Sequence, residues 1–402
     1  MNTDLANSQK SQAGKTARCI FGRALAIVAT ASLLAGRAAG DEPIIIQESA
    51  QKVIPVAITG FSGEAESVLA FDLSALGMRV VSENPQYTVS GSANGQLSGI
   101  LSMSGGAPMF SRVYSGGSTR AEAHSFADDI VKEIRGTTPI FHGKIAFRRG
   151  VGSGSEVYVS DFDGNNPIPL TTDHSFVDSP CWIPGRRALL YTSWKSGDTT
   201  QILEHDLGSG VRKVFSGRPG SNLSPAVSAD GARVAMILSQ AGSPNVWVSD
   251  MGGGDLKQLT RSREEDSCPT WSPDGSKICF VHRSGRPSLR MVNSSGGDSY
   301  PLRTAGVVGA NITEPAWSPD GKTIAFTVGS VNFTIYVVPA EGGAATRLVP
   351  GENPCWAPNS RTIIFSRRTG DRRILCLLDV PTKQVKDVRQ ISGSCSEPSW
   401  AR

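Results

Sequence analysis

From residue 143 to the C-terminus, short apolar runs alternate with turns rich in Gly, Pro and Asp, and one phrase keeps returning. It reads SPCWIPGRRALLYTS at 179–193, SPAVSADGARVAMIL at 224–238, CPTWSPDGSKICFVH at 268–282, EPAWSPDGKTIAFTV at 314–328 and NPCWAPNSRTIIFSR at 353–367, and breaks off as EPSWAR at 397–402. The anchors are Trp182, Val227, Trp271, Trp317, Trp356 and Trp400, spaced by 45, 44, 46, 39 and 44 residues. A period in the forties with Trp and turn signals predicts propeller blades. Within a repeat, Ser-Pro-Asp-Gly is a turn: Pro presets φ, Asp bonds nearby backbone, and Gly takes positive φ. The run after it, such as Ile324-Ala325-Phe326, is a strand buried on both faces. A second apolar strand, a polar turn and a short outer strand complete four strands per repeat. The Trp at each anchor is expected to wedge between neighbouring blades, and Val227 to mark a looser one.

The broken repeat at the C-terminus has its continuation at the start of the array, in GKIAFRRG at 143–150 and EVYVSDFDG at 156–164. The last strand is therefore expected to close the first blade of a six-bladed ring, since a split repeat has no role in an open stack.

Residues 41–141 follow a different pattern. Ile44–Gln47, Val53–Thr59, Met78–Val81, Tyr87–Ser90, Gly95–Met103 and Met109–Tyr114 read as strands. Glu64–Leu76 and residues 118–135 read as helices; the second has Ser118 or Thr119 as its cap, Glu122 in its first turn and Gly136 as its stop. The fold class is thus mixed, with a small α/β N-terminal domain at 41–141 followed by an all-β six-bladed propeller at 142–402, closed by the C-terminal strand.

The first 40 residues stand apart. Basic residues precede the apolar stretch ALAIVATASLLA at 24–35, and small residues follow it, which is the layout of a cleavable signal peptide. Twelve apolar residues fall short of the roughly 20 that a membrane span needs, and no transmembrane segment is expected in the mature chain. Five basic residues against Asp4 give this leader the whole chain's net +4, so the mature part is close to neutral. That disfavours nucleic acid as a partner.

Candidate chemistry is sparse. The five histidines are scattered, no CxxC or GxSxG occurs, and the glycine-rich pieces lack a phosphate-loop Lys-Ser/Thr. No catalytic residue, cofactor or metal site is expected. Whether Cys268 and Cys279, which flank one hairpin, pair as a disulfide stays open.

The phrase W-S-P-D-G-x-x-I-A-F at Trp271–Phe280 and Trp317–Phe326 resembles the repeats of the TolB family, a WD40-like (PD40) propeller repeat. The run from Arg120 through Ala123, His124, Asp128, Ile130, Gly136 and Phe141 to Lys144-Ile145-Ala146-Phe147 resembles that family's junction between its two domains. The resemblance implies a non-enzymatic protein of the periplasm and the Tol-Pal system, expected to be a monomer outside its complexes. It implies a propeller that binds a Pal-like peptidoglycan-associated lipoprotein, and a role in outer-membrane integrity and constriction during cell division. It also implies contact with a TolA-like inner-membrane protein through the mature N-terminal segment, here Asp41, Glu42, Ile44, Ile45 and Ile46. Arg120, His124, Asp128 and Phe141 would form the interdomain motif. Two other readings remain: an exported propeller sensor or scaffold outside Tol-Pal, and a propeller-containing hydrolase or lyase.

Overall fold

A computed structural model describes residues 52–197, 199–307, 310–329 and 331–401. The leader at 1–40, the segment holding Asp41, Glu42, Ile44, Ile45 and Ile46, and the strand expected at 44–47 lie outside the described residues.

The α/β region is built on one five-stranded sheet. Its strands are β1 (Ile54–Thr59), β2 (Met78–Val80), β3 (Tyr87–Ala93), β4 (Leu97–Met103) and β5 (Pro108–Tyr114), in the spatial order β2-β1-β3-β4-β5. β1 runs parallel to both neighbours because a helix, α1 (Gly63–Ala75), carries the chain from β1 to β2. Alternate residues of β4 are buried, among them Leu97 and Leu101. The second helix, α2 (Thr119–Arg135), starts where the Ser118 hydroxyl accepts the Ala121 N–H at 3.2 Å. It stops at Gly136, which takes φ 65° and donates its N–H to the Lys132 carbonyl. Phe126 of α2 lies fully buried over Gly99 of β4, where an added Cβ would sit 2.5 Å from the ring. Glycine there lets helix and sheet close up.

The ring consists of six four-stranded antiparallel sheets. The second blade shows the plan: inner strand Val177–Trp182, then Ala188–Ser193, Gln201–Asp206 and the outer strand Arg212–Ser216. The first blade takes its inner strand, Cys395–Trp400, from the end of the chain. That strand pairs antiparallel with Lys144–Arg149, placing Cys395 opposite Arg149 and Trp400 opposite Ile145. One element has no counterpart in the repeat: Thr304–Ala305 pairs parallel with Gly343–Ala344, pinning the link between the fourth and fifth blades.

The Ser-Pro-Asp-Gly turns work as their chemistry requires. The Ser272 hydroxyl donates to Asp274 at 2.6 Å and accepts the Lys277 N–H at 2.9 Å, and Gly275 has φ 68°. Ser318, Asp320 and Thr323 repeat the arrangement.

The two regions share one core. Val68, Leu73, Phe126 and Phe141 join Ile145, Phe162, Ile364, Leu377, Val388 and Trp400 in a single buried cluster. The closing strand of the ring is thereby also part of the floor on which the α/β region rests. Cys268 and Cys279 are not bridged. Cys279 is fully buried and behaves as a small apolar side chain, and burial pushes the Cys268 thiol up to about 12.

Candidate functional site

The six inner strands surround a channel of about 350 Å³. Its lining includes the residue before the repeated proline in every blade: Ser179, Ser224, Cys268, Glu314, Asn353 and Glu397. All six have left-handed backbone, with φ between 49° and 55°. A non-glycine residue rarely adopts that conformation, and one before proline is normally held in the extended region. Each of the six falls where the register of its inner strand shifts, so it is the extra residue of a bulge. In three of the blades the N–H of this residue is bonded to a side chain of a neighbouring blade. Ser179 N–H donates to Glu397 at 2.8 Å, Asn353 N–H to Glu314 at 2.7 Å, and Ser224 N–H to the Thr192 hydroxyl at 3.1 Å. The channel wall is thus stitched from blade to blade by acceptors that answer strained donors. Burial raises the carboxyls of Glu314 and Asp178 above the usual range.

Behind the channel wall stand the anchors. Trp182, Trp271 and Trp356 each donate the indole N–H to a carbonyl of the preceding blade, at Ser399, Ala226 and Ala316, over 2.9–3.1 Å. Trp182 packs with Ala146 and Val157, Trp356 with Ala325 and Ile335, in both cases residues of the blade before. Trp317 is equally buried, but its indole bonds Gly321 of its own turn at 3.2 Å. Trp400 is buried with no hydrogen-bond partner for its Nε1, packed against Phe162 at 6.1 Å between ring centroids. Val227 is only half buried, and it packs, as do Phe215, Trp247 and Met251, against the buried cluster that includes Ile183, Leu190 and Val234.

The junction brings Arg120, His124, Asp128 and Phe141 close together, with partners the linear motif does not reveal. His124 Nδ1 lies 2.6 Å from the carboxylate of Asp72, which is fully buried in α1. Burial, followed by the nearby Arg120 charge, lowers the imidazole to about 4. Burial raises the Asp72 carboxyl well above its usual range. Distance alone would call this an ion pair, but both shifts disfavour charge. Desolvation is the first cause in both groups, so burial works against charge on either member of this hydrogen-bonded pair. Arg120 pairs with Asp163 in the first blade, joining α2 to the ring. Asp128 accepts the N–H groups of Ile140 and Phe141 at 3.1 and 3.3 Å, fixing the linker as it leaves the α/β region. Phe141 packs against Phe162, the rings tilted and their centroids 5.3 Å apart. Further along α2, Glu122 is buried and accepts the Leu97 N–H at 3.0 Å. Its place in the first helical turn suggested only a capping role.

This arrangement holds and positions; it carries no reactive constellation. The most suggestive histidine of the blades, His174, is exposed, with its Nδ1 3.9 Å from Glu156. Among the described residues, no group of three or more His, Cys, Asp or Glu side chains has metal-binding geometry. No helix among them is long and apolar enough to cross a membrane.

The family model of the TolB beta propeller domain matches residues 131–402. The Tol-Pal system protein TolB of Bordetella pertussis is 31% identical over 286 residues, covering 70% of this chain and 65% of that protein. Its Bordetella parapertussis counterpart is also 31% identical over 286 residues, covering 70% of this chain and 64% of that protein. The chain therefore spans about 65% of the length of the curated relatives it matches. Among solved structures, TolB from Acinetobacter baumannii is similar with a TM-score of 0.76 at 21% identity, covering 87% of this chain and 97% of that one. A chain of the nidogen/laminin complex reaches a TM-score of 0.53 at 10% identity, covering 65% of this chain and 98% of that one. At such identities the structural likeness is one of fold.

Proposed function

The chain belongs to the TolB family, and from that premise we propose that it is a non-enzymatic periplasmic scaffold of a Tol-Pal system. Its propeller would bind a Pal-like peptidoglycan-associated lipoprotein. Its mature N-terminal segment, beginning near Asp41, would contact a TolA-like inner-membrane protein. Through these contacts it would support outer-membrane integrity and constriction during division. The observation that carries the reading is the match of the family model to the whole ring, residues 131–402. The ring offers a partner a rigid platform: its strained channel residues are locked across blades, and its core is continuous with the α/β region.

The test is affinity purification of the full-length chain from the envelope of a Gram-negative cell, with mass spectrometry of what accompanies it. Enrichment of a peptidoglycan-associated lipoprotein is expected. Its absence, with the chain recovered folded, overturns the Tol-Pal reading.

A further inference from the structure

The two ends of the ring are built from different sets of turns. At one end the first and third turns of each blade meet, as where Met251 N–H bonds the Ala232 carbonyl and Val380 N–H the Arg361 carbonyl. Aspartates crowd these turns, at positions 163, 206, 230, 250, 274 and 320. The α/β region sits at this end, through Arg120 on Asp163 and Gly77 against Asp379. At the other end the hairpin between second and third strands meets the link to the next blade, as where Gly150 N–H bonds the Ser394 carbonyl. The hairpin tips of this end are richest in arginine in one sector.

The arginines concentrate where the fifth, sixth and first blades adjoin. Arg368 lies over the Phe333 ring at 4.6 Å and Arg149 over Tyr158 at 4.8 Å. The buried Glu352 accepts from Arg368 Nε at 3.1 Å and from Arg373 Nε at 2.6 Å. One carboxylate thus orients two guanidiniums. Arg149 bonds the Ser392 hydroxyl at 2.9 Å, and neither it nor the exposed Arg372 has an ion-pair partner among the described residues. Facing the four arginines Arg149, Arg368, Arg372 and Arg373 are the buried Glu352, the buried Glu156 opposite Arg149 in the ladder, and the exposed Asp371, so the sector keeps an excess of positive charge; Asp387, with Arg367 and Arg389, lies instead in the cleft against α1. A guanidinium seated over a ring is partly ordered in advance, which lowers the entropic cost of pairing it with a carboxylate. On either side stand two apolar tips, Val151 at 67% exposure and Val331 at 75%.

We propose that this sector docks an acidic polypeptide segment, whose carboxylates pair with Arg149, Arg368, Arg372 and Arg373 while its apolar side chains cover Val151 and Val331. The inference rests on the reading of the ring as a protein-binding scaffold, and it adds the face and the chemistry of the partner. A polyanionic polysaccharide would satisfy the charges but gain nothing from the two valines, which favour a chain with both kinds of side chain.

The full-length protein is titrated with a fluorescent peptide of about sixteen residues mixing Glu and Leu, at low salt. Heparin serves as the polysaccharide probe. The peptide is expected to bind, with affinity falling about tenfold in the double variant Arg149→Gln/Arg372→Glu. Neither residue of that variant holds a buried carboxylate, so the fold survives, which circular dichroism verifies. Val151→Ser/Val331→Ser should weaken the peptide about threefold and leave heparin unchanged. Lys322→Glu, at the opposite end, should change neither. The proposal is overturned by no peptide binding, by binding indifferent to the arginine variant, or by heparin binding tighter than the peptide with no effect of the valines. Because the peptide is titrated directly, this result stands apart from recovery of a lipoprotein from the envelope.

Discussion

The ring and its junction with the α/β region are both buried, but they are held in opposite ways. The ring uses one device repeatedly: a Trp wedge against the preceding blade, a proline bulge and a hydroxyl-capped turn. The junction uses devices found once, in Asp72 with His124, Arg120 with Asp163, and Asp128 on two backbone donors. The repeated device tolerates an imperfect copy. Where the third blade has Val227, apolar neighbours fill part of the space, and the blade remains four-stranded. A buried polar pair has no such latitude, because a partner removed leaves a desolvated group unanswered.

The contrast breaks most completely at the end of the chain. Deleting 397–402 strips the first blade of most of its inner strand and exposes the unpaired edge of Lys144–Arg149. A loss comparable to the whole stability of a domain, about 5–15 kcal/mol, is expected. In urea the truncated chain should show no cooperative transition near the wild-type midpoint.

A smaller effect tests the junction. The imidazole of an unfolded chain titrates near 6.5, whereas His124 in the folded protein is lowered to about 4 by burial and then by Arg120. Above about 6.5 the group contributes no pH dependence. As pH falls from there towards about 4, the unfolded chain takes up the proton first, so stability is lost. His124→Gln lacks this titration. Asp72, raised by burial, acts with the opposite sign, and because it lies 2.6 Å from His124 the difference between the two chains reads the pair as a unit. The wild-type advantage at neutral pH should shrink by about 2 kcal/mol across the window, read from urea unfolding at several pH values.

The smallest effect sharpens the account of the ring. Val227→Ala removes two methyl groups from a half-buried site and should cost about 1 kcal/mol. A loss matching that of a Trp anchor would mean that the third blade is wedged as tightly as the others.

What could be read in advance follows the same division. Six copies of one phrase displayed the blades, the anchors and the split repeat, since periodic apolar positions respond to burial alike each time. The helix at 119–135 was legible from its cap, stop and stripe, and that at 63–75 from its apolar positions. The left-handed residue before each proline was not, although the X-Pro pair was in plain view. Ser, Cys, Glu and Asn share that position, and only the ring's geometry forces their common φ. Nor could a local motif disclose that His124 meets Asp72, 52 residues earlier, or that Arg120 meets Asp163. The pairs at 367–368 and 372–373 stood together in one hairpin, RRTGDRR, but Arg149 lies more than 200 residues earlier and joins them only when the ring closes.

The central structural claim is that closing strand, ring and α/β region share one core through Trp400, Phe162 and Phe141. Hydrogen exchange in the native state, comparing wild type with Trp400→Ala, tests it most directly. Loss of the indole should cost about 3–5 kcal/mol. The account predicts that protection falls in the first and sixth blades and equally in the central strands β1, β3 and β4 of the α/β region. Protection that drops in the blades while those strands stay at the wild-type level would contradict it.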